Sequence, residues 1–371
     1  MKAVAVEPGK SFSAHLVEIG EPKVGPHQVH VEVHAVGIDG TDHEINEGGY
    51  GNPPKGQDFL VMGHESFAKV LEVGEGVRRF APGDMVTATV RRPGGCVNCR
   101  HGQYDMCLDG DFTERGINGR NGYLTEQYVD DEEFFVHIPE PLYPVGMLVE
   151  PVSVAVKGVE QTWAIQNRMW WQPHTAAVLG AGQIGLFCTF LLRSRGLEVY
   201  VFSQQEPDSL EAQLVEKTGG HYIDVKNQSL TDVSKQVGAF DVVYEATGYS
   251  PLIFEAVQNL HADGVMCLFS VTAGKRQLEI NADEFNNQLV FGNRVVFGSV
   301  NSNHGHFERA VEAMERFHLR WPGLLDSIIT QRVHGLDHFD EAIATSQAAA
   351  DKRRAAESQI KSVVFVKEPK A

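Results

Sequence analysis

One turn constrains the fold of this chain more than any other stretch. Leu179-Gly180-Ala181-Gly182-Gln183-Ile184-Gly185 lies between an apolar run, Ala176 to Leu179, and a helical stretch, Ile184 to Ser194, with the spacing G-x-G-x-x-G. Glycines so placed allow a tight turn, let a pyrophosphate approach the backbone and let the helix pack closely on the strand, while the helix N-terminus offers partial positive charge. Between strand and helix, the pattern predicts dinucleotide binding through Gly180, Gly182, Gln183 and Ile184. Apolar and helical runs go on alternating: Glu198 to Ser203, Leu210 to Lys217, Asp241 to Glu245, Leu252 to Leu260, Val265 to Phe269 and Val295 to Val300. That rhythm is expected of a doubly wound parallel sheet, whose central strands are buried on both faces.

The ribose reader belongs at the end of the second strand, about twenty residues on. There the chain carries Ser203-Gln204-Gln205, with no acidic side chain to hold the ribose hydroxyls and repel a 2′-phosphate. The reading leans to NADP, with NAD as the alternative. Thr247, in Ala246-Thr247-Gly248 after the fourth strand, is expected to border the nicotinamide.

The first part of the chain has another character. From Met1 to about Asp130 short alternating strands and Gly/Pro turns recur, as in Gln28 to Val36, Ser66 to Val73 and Met85 to Thr89, so this part is mainly β. The tail from His304 adds a helical stretch, Phe307 to Phe317, and a last strand, Ser362 to Val366. A length of 371 residues calls for two domains. A formal charge of −17 argues against nucleic-acid or anionic-membrane partners, which need a basic face. Met1 to Val6 reads as a strand rather than a signal peptide, and no run of about eighteen apolar residues stands out, so a cytoplasmic protein is expected.

Gly37-Ile38-Asp39-Gly40-Thr41-Asp42-His43-Glu44 follows an alternating strand and packs ionisable and hydroxyl groups densely. It reads as a tight turn. Elsewhere stand Gly63-His64-Glu65 and Val149-Glu150-Pro151, and an open zinc site needs three hard or borderline donors, a set that Asp39, His64 and Glu150 would provide. Cys96-x-x-Cys99 and Cys107 suit a small structural zinc lobe in a reducing compartment. A closed site needs a fourth ligand, and Asp109, Asp111, Glu114 or His101 could supply it.

With these residues the chain resembles the zinc-dependent medium-chain dehydrogenases/reductases, and among them the archaeal-type glucose dehydrogenase branch. Gly37-x-Asp39-Gly40-Thr41-Asp42 is similar to the family's G-x-C-G-T-D turn, with Asp where most members have a zinc-binding Cys. Gly63-His64-Glu65 opens the family's long signature. Arg91-Arg92-Pro93-Gly94-x-Cys96-x-Asn98-Cys99-Arg100-x-Gly102 with Asp105-x-Cys107 is similar to the branch's lobe, although a fourth lobe cysteine would stand at Pro93. Glu114, Gly116-Ile117, Glu150-Pro151, Gly298-Ser299-Val300-Asn301 and His306-Phe307 fall where the branch places sugar contacts. Where relatives often have Asn-Arg-Arg, this chain has Ser203-Gln204-Gln205.

The resemblance implies a GroES-like β-rich catalytic domain over 1–155, completed by 304–371, around a Rossmann domain at 156–303, with the active site in a cleft. It implies an aldose 1-dehydrogenase taking glucose, or galactose or a pentose, to the aldonolactone with NADP or NAD. Asp39, His64, Glu150 and Glu65 would hold a catalytic Zn2+, and Thr41 would relay the proton. Glu114, Glu150, Asn301 and His306 would contact sugar, with Asn301 also near the cofactor. The alternatives are a polyol or secondary-alcohol dehydrogenase on the same scaffold and, more remotely, a non-catalytic nucleotide sensor. A homodimer or homotetramer is implied, meeting along the sheet edge at Val295 to Val300.

Overall fold

A computed structural model describes residues 1–272, 274–355 and 359–367, and the chain divides into two compact units. The first comprises Met1–Ser153, Asn301–His318 and Leu325–Ala371, the second Val154–Val300 with Leu319–Leu324.

The first unit is built on the eleven-residue strand Gln28–Ile38. Its first half alternates buried and half-buried residues, as a strand with one covered face does, and its second half is buried throughout. Glu65–Val73, Gln127–Asp131 and Lys361–Phe365 all pair with it, within a seven-stranded sheet. The register decides what meets at its C-terminal end. Gly37 lies opposite Glu65 on one neighbour and Val363 on the other, and Ile38 opposite Ser362. Residues distant in sequence are thereby brought to one strand end.

The second unit holds a six-stranded parallel sheet. Its order is His221–Asp224, Glu198–Ser203, Thr175–Leu179, Phe240–Glu245, Leu260–Leu268, Val295–Gly298. Taken in chain order the strands run 3-2-1-4-5-6, the order of dinucleotide-binding sheets. Ala177, Leu179, Phe202, Phe240, Val243 and Met266 form its buried core.

Three elements depart from the sequence reading. Gly40–Asn46 is a helix, not a tight turn. His221–Asp224 is a strand with no fully buried residue, hence without an apolar signal. Residues 140–166 make a helical run as long and apolar as a membrane span, although no such run was expected; 83% of its apolar window is buried, as in a core helix.

Candidate active site

The end of strand Gln28–Ile38 runs into Asp39, which caps the helix that follows. Asp39 Oδ1 accepts the backbone N–H groups of Thr41 at 2.7 Å and Asp42 at 3.2 Å, and Asp42 Oδ2 accepts the Asp39 N–H at 3.1 Å. This is a capping box. It fixes one Asp39 oxygen and turns the other, Oδ2, to within 3.5 Å of His64 Nε2. His64 Nδ1 lies 3.7 Å from Asp42 Oδ1, which also accepts the Gly63 N–H at 3.1 Å. Asp42 is fully buried and supports both Asp39 and His64.

Glu65 stands opposite Gly37 on the adjacent strand. A Cβ at position 37 would fall 1.9 Å from Glu65 Oε2 and 2.8 Å from Lys361 Cε, so only glycine leaves room for them. Lys361 Nζ donates to Glu65 Oε1, both side chains being wholly buried. Glu65 Oε2 and His64 Nδ1 are buried without a hydrogen-bond partner among the described residues. Donor atoms of Asp39, His64 and Glu65 lie within 4.8 Å of one another. One nitrogen and two carboxylate oxygens, with an orphaned oxygen among them, fit a borderline divalent cation such as zinc. Glu150, in the first turn of helix Val149–Gln166, is buried beside this group but not within it.

The electrostatics follow from that crowding. Burial pushes the Glu150 carboxyl up to about 8, Glu65 and Asp39 adding to the push against His64 and Lys361. Burial also raises Glu65, opposed chiefly by Lys361. For Asp39 burial works upward, but the His64 imidazole outweighs it and holds the carboxyl below the ordinary range. Burial works downward on His64, yet Asp39 and Asp42 raise it well above the usual histidine value. Thr41 reaches the Tyr50 phenol, which burial pushes up to about 12.

Glu114 lies in the short strand Thr113–Arg115, and Asn301, held at φ 60°, donates from Nδ2 to its Oε1 at 2.6 Å. His306 is set apart with Asn303 and Asp105: its Nδ1 accepts the Asn303 N–H at 3.2 Å, and Asn303 Nδ2 donates to Asp105 Oδ1 at 2.8 Å. The sulfurs of Cys96, Cys99 and Cys107 form a second group within 4.8 Å. Of the four proposed partners, Asp111 comes to it, with Oδ1 3.5 Å from Cys107 Sγ. His101 Nδ1 bonds the Val97 carbonyl at 2.8 Å, and Glu114 is engaged by Arg91 at 3.0 Å. Asp109 is exposed. Hydrogen bonds from the Leu108 and Cys99 backbone draw the Cys96 thiol down to about 7, while burial sends Cys99 up to about 11.

In the second unit Gly182 caps helix Gln183–Ser194, putting Gln183 and Ile184 in its first turn. A Cβ at Gly185 would meet Gly180 O at 1.9 Å, the close helix-to-strand packing expected of the motif's last glycine. Ile184, Ala246, Thr247, Gly248, Phe269, Ser270 and Val271 line one cleft. Glu245 Oε1 fixes its turn, accepting from Thr247 N, Thr247 Oγ1 and Gly248 N at 2.5–3.0 Å. Ser203 is half-buried, and Gln204 and Gln205 are exposed. The following loop packs beside them: the Val225 N–H donates to Ser203 O at 3.0 Å, and the next residue, Lys226, pairs with Glu206.

Residues 25–140 match the family model for the alcohol dehydrogenase GroES-like domain, and residues 143–362 that for the glucose dehydrogenase C-terminus. The glucose 1-dehydrogenase of Methanocella arvoryzae is 41% identical over 345 residues, covering 92% of this chain and 96% of that protein. The chain belongs to the glucose dehydrogenase branch of the zinc-dependent medium-chain dehydrogenases. Within that branch, glucose 1-dehydrogenase of Thermoproteus tenax is 38% identical over 92% of this chain and 95% of its own. The glucose dehydrogenase of Haloferax mediterranei, solved in complex with NADP, Zn and gluconolactone, superposes with a TM-score of 0.86 at 32% identity, covering 98% of this chain and 99% of that one. The medium-chain architecture, a GroES-like domain with a Rossmann parallel sheet, is the one expected from sequence.

Five residues beside these sites were not singled out from sequence as site residues, among them Tyr50, an isolated tyrosine in a Gly-rich stretch with no signal of its own. Asp42 had a signal, the Asp-x-x-Asp spacing of a capping box. Arg91 stood in the lobe motif without a role. Lys361 and Lys226 had no local signal, because each meets its carboxylate only through the fold.

Proposed function

We propose that the protein is a zinc-dependent glucose 1-dehydrogenase that oxidises C1 of the pyranose to the lactone and reduces NADP. The observation that carries this reading is the group of Asp39, His64 and Glu65 donor atoms within 4.8 Å, with an orphaned Glu65 oxygen among them. Its relatives' shared activity supports the substrate class.

When bound, zinc acidifies the C1 hydroxyl and stabilises negative charge on its oxygen, and the nicotinamide accepts the hydride from C1. Asp39 Oδ2 and His64 Nε2 would hold the metal. Asp42, against His64 Nδ1, orients the imidazole so that its other nitrogen, toward Asp39 Oδ2, would be the one offered to the metal. Glu65 offers Oε2 while Lys361 retains Oε1. Glu150, whose carboxyl feels His64, Glu65 and Asp39, is assigned to ligate through water or to accept a sugar hydroxyl. Thr41 takes the hydroxyl proton, and Tyr50, in reach of Thr41 and 45% exposed, leads it outward. The C1 hydrogen would leave with its bonding pair as hydride for the nicotinamide, the hydroxyl proton through Thr41, and the oxygen's freed pair would make C1 the lactone carbonyl.

Glu114, Asn301 and His306 are assigned to the sugar, and Gly180, Gly182, Gln183, Ile184 and Thr247 to the dinucleotide. Ser203, Gln204 and Gln205 flank its ribose, and Lys226, one residue beyond the Val225 that bonds Ser203, is the cation assigned to a 2′-phosphate. Cys96, Cys99, Cys107 and Asp111 form a structural zinc site. The dehydrogenase works in the cytoplasm as a homodimer or homotetramer meeting along Val295–Gly298, the last strand of its sheet, near which Phe291 is 84% exposed.

Initial rates with glucose, galactose, xylose and 2,3-butanediol, each with NADP and NAD, test the reading. Glucose with NADP is expected to give the highest kcat/KM. Turnover of the diol with none of any aldose would replace it by a secondary-alcohol dehydrogenase.

A further inference from the structure

Arg91 and Glu114 face each other across a two-stranded antiparallel pairing of 91–92 with 113–115. The Arg91 guanidinium makes four hydrogen bonds. Nε and Nη2 donate to Glu114 Oε1 at 3.1 and 3.0 Å, and Nη1 donates to the carbonyls of Tyr104 and Asp105 at 3.4 and 3.2 Å. Its plane rests on the Phe112 ring, 3.6 Å from the centroid. A guanidinium held by stacking and by charge-assisted bonds has little freedom left, and neither has the carboxylate it grips.

All the donors on Glu114 converge on one oxygen. Arg91 gives Oε1 two hydrogen bonds and Asn301 a third, while Oε2 receives none from the described residues. The next turn presses on the metal-site backbone, since a Cβ at Gly116 would fall 2.4 Å from the carbonyl of Gly63, the residue before His64. A fixed carboxylate with one open oxygen therefore stands two residues before a turn that packs against the residue preceding His64.

We infer that Arg91 is a positioning residue for sugar recognition: by saturating Glu114 Oε1 it leaves Oε2 as the acceptor for one pyranose hydroxyl. This rests on the reading of Glu114 as a sugar contact. Because Arg91 also grips the Tyr104 and Asp105 carbonyls, between Cys99 and Cys107, the cysteine lobe takes part in setting where that oxygen points. Discrimination follows, because a sugar lacking the partner hydroxyl leaves a half-buried, charged acceptor covered and unpaired.

Steady-state kinetics of Arg91→Lys, Glu114→Gln and the double variant test the inference, with zinc content and the KM for NADP as controls of folding. Arg91→Lys is expected to raise the KM for glucose about tenfold or more, the scale of a lost charge-assisted hydrogen bond, and to leave kcat within about threefold. In the double variant the KM should equal that of Glu114→Gln alone, since the two residues act through one contact. Among monodeoxy glucoses, the analogue most penalised by the native enzyme should lose most of its penalty in Arg91→Lys. Phe112→Leu, which removes only the supporting ring, should shift the KM in the same direction by less, and it stands in if Arg91→Lys does not fold. Additive effects in the double variant, or an unchanged KM in Arg91→Lys, would overturn the positioning role. An unchanged KM in Glu114→Gln would overturn the sugar contact itself and the inference with it.

Discussion

The two oxygens of Asp39 serve different ends. Oδ1 is spent on the first turn of helix Gly40–Asn46, and Oδ2 faces His64. A thiolate in that place would keep the ligand charge but would be a poorer acceptor for two backbone N–H groups, so the carboxylate hardens the site and strengthens the cap together. Substitution separates the roles. Asp39→Asn should lose turnover and metal yet keep the helix cap, whereas Asp39→Ala should also lose about 1 kcal/mol of stability. Thermal unfolding of both variants in the metal-free state, beside zinc content and NADP binding, measures the difference; equal stability of the two would remove the cap from the account. Gly37 gives a second prediction. A methyl group there must displace Glu65 or Lys361, so Gly37→Ala is expected to cost about 1–3 kcal/mol in unfolding free energy, as overpacking does, and to lower zinc content.

Elements differ in how much of themselves they showed in sequence. The central parallel strands were legible because burial on both faces writes them as continuous apolar runs, as the edge strand His221–Asp224 was not, and the Gly180 turn because backbone approach admits no substitute. Helix Gly40–Asn46 was read as a turn since its seven residues begin with Gly and carry five polar side chains, which suit turns equally well. His64 and Glu65 stood out in sequence, but Glu65's alignment with Gly37 and Lys361 is a matter of strand register, which nothing local encodes. The cysteine lobe left its fourth ligand open among four residues, and only packing brought Asp111 to Cys107. Asp111→Ala should therefore reduce zinc from two ions per chain to one, while Asp109→Ala keeps two, as read by metal analysis of the purified variants. An equal loss in both would return the choice of ligand to the start.

At the scale of the whole molecule, the first unit is tied through a buried charge cluster. Arg92 and Arg115 both donate to Asp130 Oδ2, at 2.5 and 2.6 Å, and Arg92 Nη2 donates to Tyr123 OH at 3.2 Å. Burial works to raise the Asp130 carboxyl, but the two guanidinium groups outweigh it and hold it far below the ordinary range. A carboxyl depressed in the folded state contributes stability above its unfolded value, about pH 4, and loses that contribution as pH falls further. Asp130→Asn, which leaves two buried cations uncompensated, should cost about 3–5 kcal/mol at neutral pH. Its unfolding free energy should also fall less steeply than the native protein's between pH 4 and 2, so parallel acid profiles would exclude Asp130 as the titrating group.

The pairing of Lys361 with Glu65 spans 296 residues of chain. At a synthesis rate of about 5–20 residues per second, Glu65 is made some 15–60 s before its cation. Through that interval a carboxylate destined for full burial has only water, or a metal ion, to satisfy it. The centre is thus closed only once residue 361 has been translated, and a chain cut short before it would carry Asp39, His64 and Glu65 in full yet lack the counter-charge under which they come together.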